Sequence, residues 1–263
     1  MRRRRREMSF ENFWLYTEKA LEENYDVGFE LYSKGHLLWL LALAIGALII
    51  IPVYLRGSHK KQEKMRKFFA AFLLVIEIIK DIIVVVIGAP ITAYLPLHLC
   101  GYAIFFLLID AYFPKQKITG QLVAYAFGPG ALAALLFCSW TMLPLFWNFM
   151  TIHSFIFHGV IVTYLIMRLA NGEIRPDYKG LWISVLTMAA LAVPAYLVDM
   201  KTGYNYMFIY EVQRNSPLEI AWEIFGTRFG KPGYVVGAVI LVTVIFHALY
   251  LIYGILGFRR RKK

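Results

Sequence analysis

Long apolar runs separated by short polar segments dominate the pattern of hydrophobic and polar positions along this chain. An α-helix rises about 1.5 Å per residue, so a run of roughly 20 apolar residues crosses the roughly 30 Å hydrocarbon core of a bilayer. The pattern therefore predicts an all-α, polytopic membrane bundle of seven transmembrane helices. Their predicted ranges are 36–55, 68–88, 95–113, 118–137, 144–169, 180–198 and 234–257.

Three regions follow from this pattern: an external basic and amphipathic segment (1–35), the transmembrane domain (36–257) and a basic cytoplasmic tail (258–263). The first region is rich in acids after its basic start and has no apolar core, so it does not read as a cleavable signal. Its apolar positions recur at helical spacing, which predicts either an amphipathic helix at the outer interface or a charged arm without fixed structure. Those positions are Phe10, Phe13, Trp14, Thr17 and Leu21.

Lysine and arginine in the short loops indicate the orientation of the bundle. The loops after the first, third and fifth spans and the C-terminal tail hold most of the 28 basic residues, whereas two of the opposite loops hold none. This asymmetry predicts an external N terminus and a cytoplasmic C terminus. The basic run 2–6 argues for the reverse, but it lies about 30 residues before the first span, beyond the ~15 to 20 residues over which charge orients a helix.

Composition and charge narrow the function classes. The chain is 59% hydrophobic and 17% charged, with a formal net charge of +11, whereas soluble domains are near 45–50% apolar and 25% charged. Nucleic-acid binding is not expected, because the positive charge lies in membrane loops and not on a folded, water-facing surface. Loop charge of this kind is mainly a topological signal; it also suits anionic lipid head groups but says little about substrate. No cofactor motif occurs, and no protein partner or oligomeric state is indicated.

Ionisable residues inside a span are costly and mark either a site or an internal pair. In the second span, Glu77, Lys80 and Asp81 are spaced three and four residues apart and so share one helix face. Lys80 is expected to neutralise one carboxylate while the other finds a partner elsewhere, either as a structural salt bridge or as part of a site. Asp110 and Asp199, near span ends, are expected to be hydrated.

A polar stripe runs along the fifth span. Asn148, Thr151, Ser154 and His158 recur at intervals of three, three and four residues, which places them on one face. The stripe either binds a ligand or holds helices together by hydrogen bonds. His153 is turned about 140° away from His158 and belongs to another face.

The third span begins with His98 and Cys100, about 200° apart around the helix axis. A reactive cysteine needs a base or a cation to form the thiolate, and here that group must come from another helix. Cys100 lies about 9 Å and His153 about 14 Å below the outer ends of their spans, so depth alone favours His153 as the partner. With His36 at the outer interface, the polar residues concentrate in the outer half, which predicts a cavity open to that side.

Several motifs resemble those of the YwaF-like family of bacterial integral membrane proteins, and more distantly the eukaryotic transmembrane protein 164. The resemblance spans about residues 29–256. The motifs are GHLLWL at 35–40, LPLHLC at 95–100, FIFHG at 155–159, GYNYMFI at 203–209 and SPLEIAWEIFG at 216–226.

This resemblance implies a seven-helix fold, a bacterial plasma membrane location and a cysteine-dependent phospholipid acyltransferase activity. The family cysteine corresponds to Cys100, and matching positions also include His98, His158, Asn205 and Tyr206. His153 stands where relatives are expected to carry glutamine, so the resemblance favours His158 as the base, against the depth estimate.

Two functions are therefore predicted as alternatives. In the first, Cys100 attacks a fatty-acyl ester, His158 moves the proton, and His98, Asn148 or Asn205 hydrogen-bonds the oxyanion. The remaining substrate-binding candidates are Ser154, Tyr206, His36 and His153.

The second is a transporter or lipid-binding protein without catalysis, which would use the charges of the second span and half-helices around the GPG at 128–130. A zinc site from His36, His98, His158 and Cys100 has suitable ligand types but no supporting local spacing, so no metal is expected. A disulfide between Cys100 and Cys138 is an open alternative.

Overall fold

A computed structural model describes residues 13–16, 19, 30–114, 116–138, 147–213 and 216–259. Within these ranges the secondary structure is helical and contains no strand. The basic run 2–6, most of the predicted amphipathic helix and the last four residues of the tail lie outside the described residues.

Seven helical segments make up the part of the chain that the structure describes, and each predicted apolar run overlaps one of them. Two short 3₁₀ turns, Ile91–Ala93 and Tyr206–Phe208, lie in the connections at one end of the bundle. The helices are α1 Lys34–Leu55, α2 His59–Val86, α3 Leu99–Tyr112, α4 Ile118–Leu136, α5 Phe149–Ala170, α6 Tyr178–Thr202 and α7 Leu218–Ile255.

Five of these helices, α1, α4, α5, α6 and α7, are long and apolar enough to cross a membrane. Helix α2 has the length but carries Glu77, Lys80 and Asp81 within its apolar half. Helix α3 is apolar but has 14 residues, because it begins at Leu99 and not at Leu95 as predicted; His98 caps it. The described chain is thus a multi-pass helical membrane protein.

Helices α4 and α5 form the interior of the bundle. Helix α5 packs against α1, α2 and α4, while the first turns of α4 pack against α6. In the most apolar 18-residue stretch of α4, 67% of the residues are buried, whereas the corresponding share in α1 is 6%. The outer helices expose large apolar side chains such as Leu48 and Ile255, which is the pattern expected of surfaces that face lipid.

Helix α4 contains a π-helical turn at Val123–Phe127. The N–H of Gly128 donates to the carbonyl of Val123, five residues back, and the next residue, Pro129, has no N–H to donate to Ala124. The phenol of Tyr253 on α7 supplies the missing donor, 2.6 Å from the Ala124 oxygen. The helix therefore continues through the GPG at 128–130 instead of separating into half-helices.

Helix α7 is interrupted at Gly230, whose backbone lies at φ 66° and ψ −154°. That conformation needs a glycine, and Pro232 follows two residues later. The part after the break corresponds to the seventh predicted span. The part before it, which includes a second π-helical turn at Trp222–Gly226, was not predicted.

Candidate functional site

Four ionisable side chains of α2 and α5 meet inside the bundle. Lys80 Nζ lies 2.6 Å from Glu77 Oε1 and 3.1 Å from Asp81 Oδ1, and it also donates to the carbonyl of Tyr94 at 3.2 Å. The other Glu77 oxygen, Oε2, lies 3.4 Å from His153 Nε2. Lys80 therefore pairs with both carboxylates, whereas one of the two was expected to find its partner elsewhere, and Glu77 has His153 as a further partner.

His153 faces away from His158, as the helical spacing predicted. Its ring stacks on Phe157 at 5.5 Å between centroids, and its Nε2 points to Glu77. Depth in the membrane favoured His153 as the partner of Cys100. In the structure, His153 Nε2 contacts the carboxylate of Glu77.

Cys100 lies in the first turn of α3. Amides in the first turn of a helix, here those of Cys100 and Gly101, have no intrahelical acceptor and so are available to a side chain or ligand. Gly101 is required here, because a Cβ at this position would come within 2.8 Å of the Pro96 backbone. The LPLHLC segment thus folds back closely on the start of its own helix.

His98 occupies the N-cap position of α3, without a side-chain hydrogen bond to the helix, and its ring contacts the loop between α6 and α7. Its ring packs edge-on against Tyr206 at 5.1 Å and contacts Phe208 at 5.5 Å. Burial raises the pKa of the Tyr206 phenol to about 12, so the phenol stays neutral and donates to the carbonyl of Thr92. Two predicted residues, His98 and Tyr206, are therefore in direct contact.

The same loop is anchored to α6 by Asp199. One carboxylate oxygen accepts the backbone N–H of Tyr206 at 2.9 Å, and Asp199 is fully buried. The expectation that Asp199 is hydrated is therefore wrong. Its position at the end of a span hid the fact that the following loop folds back over it.

His158 is buried on α5 with one defined tautomer. Its Nδ1 lies 2.7 Å from the carbonyl oxygen of Ser154 and 3.3 Å from the Ser154 hydroxyl. A carbonyl only accepts hydrogen bonds, so Nδ1 carries the hydrogen and Nε2 carries the lone pair. This is the tautomer that a general base on Nε2 needs.

Helix α2 packs against both α3 and α5. These three helices carry five ionisable or sulfhydryl side chains, which we name the α2–α3–α5 cluster: Glu77, Lys80, His98, Cys100 and His158.

Asn148 is used within the fold. Its Oδ1 accepts the N–H of Met150 and caps α5, while its Nδ2 donates to the carbonyls of Phe13 at 3.2 Å and Leu15 at 2.6 Å. The side chain is fully buried. These hydrogen bonds hold part of the N-terminal segment against the start of α5. Asn148, which was predicted to bind substrate, therefore has a structural role.

Asn205 stabilises its own loop by hydrogen bonds. Its Oδ1 accepts the N–H groups of Tyr210 and Glu211, and its Nδ2 donates to the Glu211 carbonyl at 2.7 Å. Both ends of the amide are thus engaged within residues 205–211. The loop that carries Tyr206 and Phe208 is shaped by this residue.

His36 is completely buried at the start of α1. Its Nδ1 accepts the N–H of Tyr32 at 2.9 Å, and its Nε2 lies 2.7 Å from the Leu135 carbonyl and 3.3 Å from Cys138 Sγ. Because Nδ1 is the acceptor, Nε2 carries the hydrogen and cannot take a proton from Cys138. This histidine links α1 to the end of α4. Both Cys100 and Cys138 are free thiols.

The expectation that Asp110 is hydrated is also wrong, because Asp110 is 1% exposed. It accepts hydrogen bonds from Tyr164 at 2.7 Å and Thr119 at 3.0 Å and pairs with Arg168. Arg168 also lies 2.6 Å from Glu173. These contacts place a buried polar network at the ends of α3, α4 and α5.

Glu173 extends this network to α1 and α2. Its carboxylate accepts from Tyr54 at 2.6 Å and Arg66 at 3.1 Å, and from Asn171 at 2.6 Å. Two arginines and two acids make the network electrically neutral. This network was not predicted. The signal for it in the sequence is that its acids and arginines lie at span ends that the predicted topology places on the cytoplasmic side.

A metal site has no support among the residues that the structure describes. No three histidine, cysteine, aspartate or glutamate side chains there group as metal ligands. His36, one of the four zinc candidates, has its ring nitrogens engaged between α1 and α4 instead.

The fold and the α2–α3–α5 cluster define a multi-pass helical membrane protein with ionisable and sulfhydryl groups in its interior. The chain belongs to the TMEM164 family, whose sequence model matches residues 31–252. The predicted relation to transmembrane protein 164 is confirmed, whereas the YwaF-like assignment stays a prediction. Comparisons with curated proteins and with solved structures found no match.

Proposed function

We propose that this protein transfers acyl groups on membrane phospholipids, with Cys100 as nucleophile and His158 as base. In this proposal seven helices cross a bacterial plasma membrane, with the N terminus outside and the C terminus in the cytoplasm. The observation that carries it is the α2–α3–α5 cluster, in which packed helices carry a cysteine in the first turn of α3 and two histidines, and the hydrogen bond of His158 Nδ1 leaves the lone pair of that ring on Nε2.

The chemical step follows from these groups. His158 Nε2 accepts the thiol proton, and the Cys100 sulfur attacks the ester carbonyl carbon of a phospholipid. The C–O bond to the glycerol oxygen breaks, His158 returns the proton to that oxygen, and an acyl thioester and a lysophospholipid result. Attack by a lysophospholipid hydroxyl completes a transferase cycle, and attack by water completes a hydrolase cycle.

The first-turn N–H groups of α3 are candidate donors to the oxyanion. Those of Cys100 and Gly101 have no intrahelical acceptor, and oxyanion donors are worth about 10²–10³ in rate in other acyl-transfer enzymes. His98, capping the same helix, is the side-chain candidate for this role.

We assign the substrate contacts to three side chains that border the cluster, Ser154, Tyr206 and His153. Asn148, Asn205 and His36 serve the site indirectly, because their polar atoms hold the helix starts and the loop that surround it.

The test is lipid remodelling by purified protein in vesicles that contain phosphatidylcholine and a lysophospholipid with a distinguishable head group. Products are read by mass spectrometry. Cys100→Ser is expected to lose activity by at least about 10²-fold, because the serine hydroxyl is a far weaker nucleophile at neutral pH.

Cys138→Ser is the matched control, since it changes the other free thiol. Full activity in Cys100→Ser, or equal loss in both variants, would exclude the cysteine mechanism.

A second candidate is transport or lipid binding without catalysis. The observation in its favour is the set of ionisable groups at depth, Glu77, Lys80, Asp81 and His153, since such groups line coupled pathways in transporters. It predicts substrate or proton flux in sealed vesicles that is lost in Glu77→Gln and unchanged in Cys100→Ser. The enzyme proposal predicts no such flux.

A further inference from the structure

An apolar groove lies where α1 ends and α2 begins, on the outer surface of the bundle. It has a volume of about 460 Å³ and is lined by Ile49 and Val53 of α1 and by Met65 and Phe68 of α2. Ile49 and Phe68 are each more than 60% exposed. A single acyl chain, which is flexible and wholly apolar, suits a groove with this lining.

Two lysines, Lys61 and Lys64, line the same groove at the end near the α1–α2 turn. They are three residues apart and so share a helix face. Both are exposed, and among the described residues no acid forms an ion pair with either. The neighbouring cations are different: Lys67 pairs with Glu63 at 2.6 Å, and Arg66 belongs to the Glu173 network.

The distances along the helices match the dimensions of a lipid. Along α2, Lys61 and Phe68 are seven residues apart, about 10 Å. This separation puts the ammonium groups at head-group level when the aromatic ring is among the acyl carbons. Lysine side chains extend toward the interface in this way.

We propose that this groove is a binding site for an anionic glycerophospholipid such as phosphatidylglycerol. The phosphate lies between Lys61 and Lys64, and one acyl chain occupies the groove between α1 and α2. A cationic point charge suits a phosphate, and two cations beside an apolar groove select a lipid that is both charged and acylated. The site lies outside the α2–α3–α5 cluster and does not depend on the activity proposed for it.

The experiment measures binding of fluorescent phosphatidylglycerol and phosphatidylcholine to the full-length protein in neutral detergent. Each juxtamembrane lysine contributes about 5-fold to the affinity for an anionic lipid. Lys61→Gln and Lys64→Gln are therefore each expected to weaken phosphatidylglycerol binding about 5-fold, and the double variant about 25-fold. Phosphatidylcholine binding is expected to change little.

Two further variants separate the groove from general surface charge. Lys60→Gln removes the same charge from the same turn but lies outside the groove, and is expected to leave binding unchanged. Val53→Trp fills the groove and is expected to weaken binding of both lipids. Val53 is 42% exposed, so the larger side chain does not enter the core.

Three results would overturn the proposal. Equal loss of lipid affinity in Lys60→Gln and Lys61→Gln would mean that binding depends on the overall surface charge and not on the lysines of the groove. Unchanged binding in Val53→Trp would mean that the groove is not used. Displacement of the lipid by equimolar glycerol 3-phosphate would mean that the site binds a soluble phosphate and not a lipid.

Discussion

Replacing Glu173 with glutamine tests whether the neutral polar network stabilises the bundle. The carboxylate contacts both Arg66 and Arg168, which are only 4% and 6% exposed, and together with Asp110 it balances their two positive charges. Glu173→Gln leaves a net charge of one on buried groups with no counter-ion. Removing one partner of a buried ion pair costs about 3–5 kcal/mol. Glutamine retains acceptors for Tyr54 and Asn171, so we expect a loss near 3 kcal/mol.

The assay is reversible unfolding in mixed micelles, with increasing SDS and helical circular dichroism as the signal. Glu63→Gln is the control: it removes a carboxylate from α2 whose lysine partner, Lys67, is on the surface. Exposed pairs of this kind contribute little, so no measurable change is expected.

A double-mutant cycle identifies the cause. Arg66→Gln combined with Glu173→Gln restores neutrality, so the pair is expected to lose at least 1 kcal/mol less than the sum of the single variants. Additive losses, or equal effects of Glu173→Gln and Glu63→Gln, would refute the charge-balance reasoning.

Three other perturbations have expected outcomes in the same unfolding assay. Tyr253→Phe removes the donor to the freed carbonyl of α4 and should cost about 1–3 kcal/mol, whereas Tyr112→Phe, whose ring is on the surface, should be neutral. Gly101→Ala forces a methyl against the Pro96 backbone and should cost about 1–3 kcal/mol, with a changed rate of thiol labelling at the adjacent cysteine; an unchanged rate and stability would contradict the close approach. Asn148→Ala should cost about 0.5–2 kcal/mol through loss of the α5 cap, and protection of the N-terminal segment from protease should fall with it.

Hydropathy predicted the helices well because it depends on residues that are close in sequence. Every apolar run corresponds to a helix, and the errors lie at the ends, where caps and breaks decide. Helix α3 starts at Leu99 because the backbone of His98 is extended, and α7 starts early because an unpredicted helical stretch precedes the break at Gly230.

The sequence predicted which residues share a helix face in the candidate site, but not which groups their side chains hydrogen-bond. The spacing placed His153 and His158 on different faces, and the structure confirms it. Spacing does not show which backbone groups compete for a side chain, so it did not reveal that Asn148 binds the carbonyls of Phe13 and Leu15. The Asp110–Arg168 pair was missed for the same reason, since its partners are 58 residues apart.

The π-helical turn in α4 has a consequence for how homologous chains are aligned. Such a turn holds one residue more than an α-helix of the same path. Loss of a single residue within Val123–Phe127 would restore regular winding and leave residues 128–136 on the faces they now occupy. Gly128, which packs against Leu165 so closely that a Cβ would lie 2.3 Å from it, would keep its place. A one-residue gap in this stretch of a relative is therefore compatible with the same interior, whereas a gap placed in a regular part of the helix would rotate the residues that follow by about 100°.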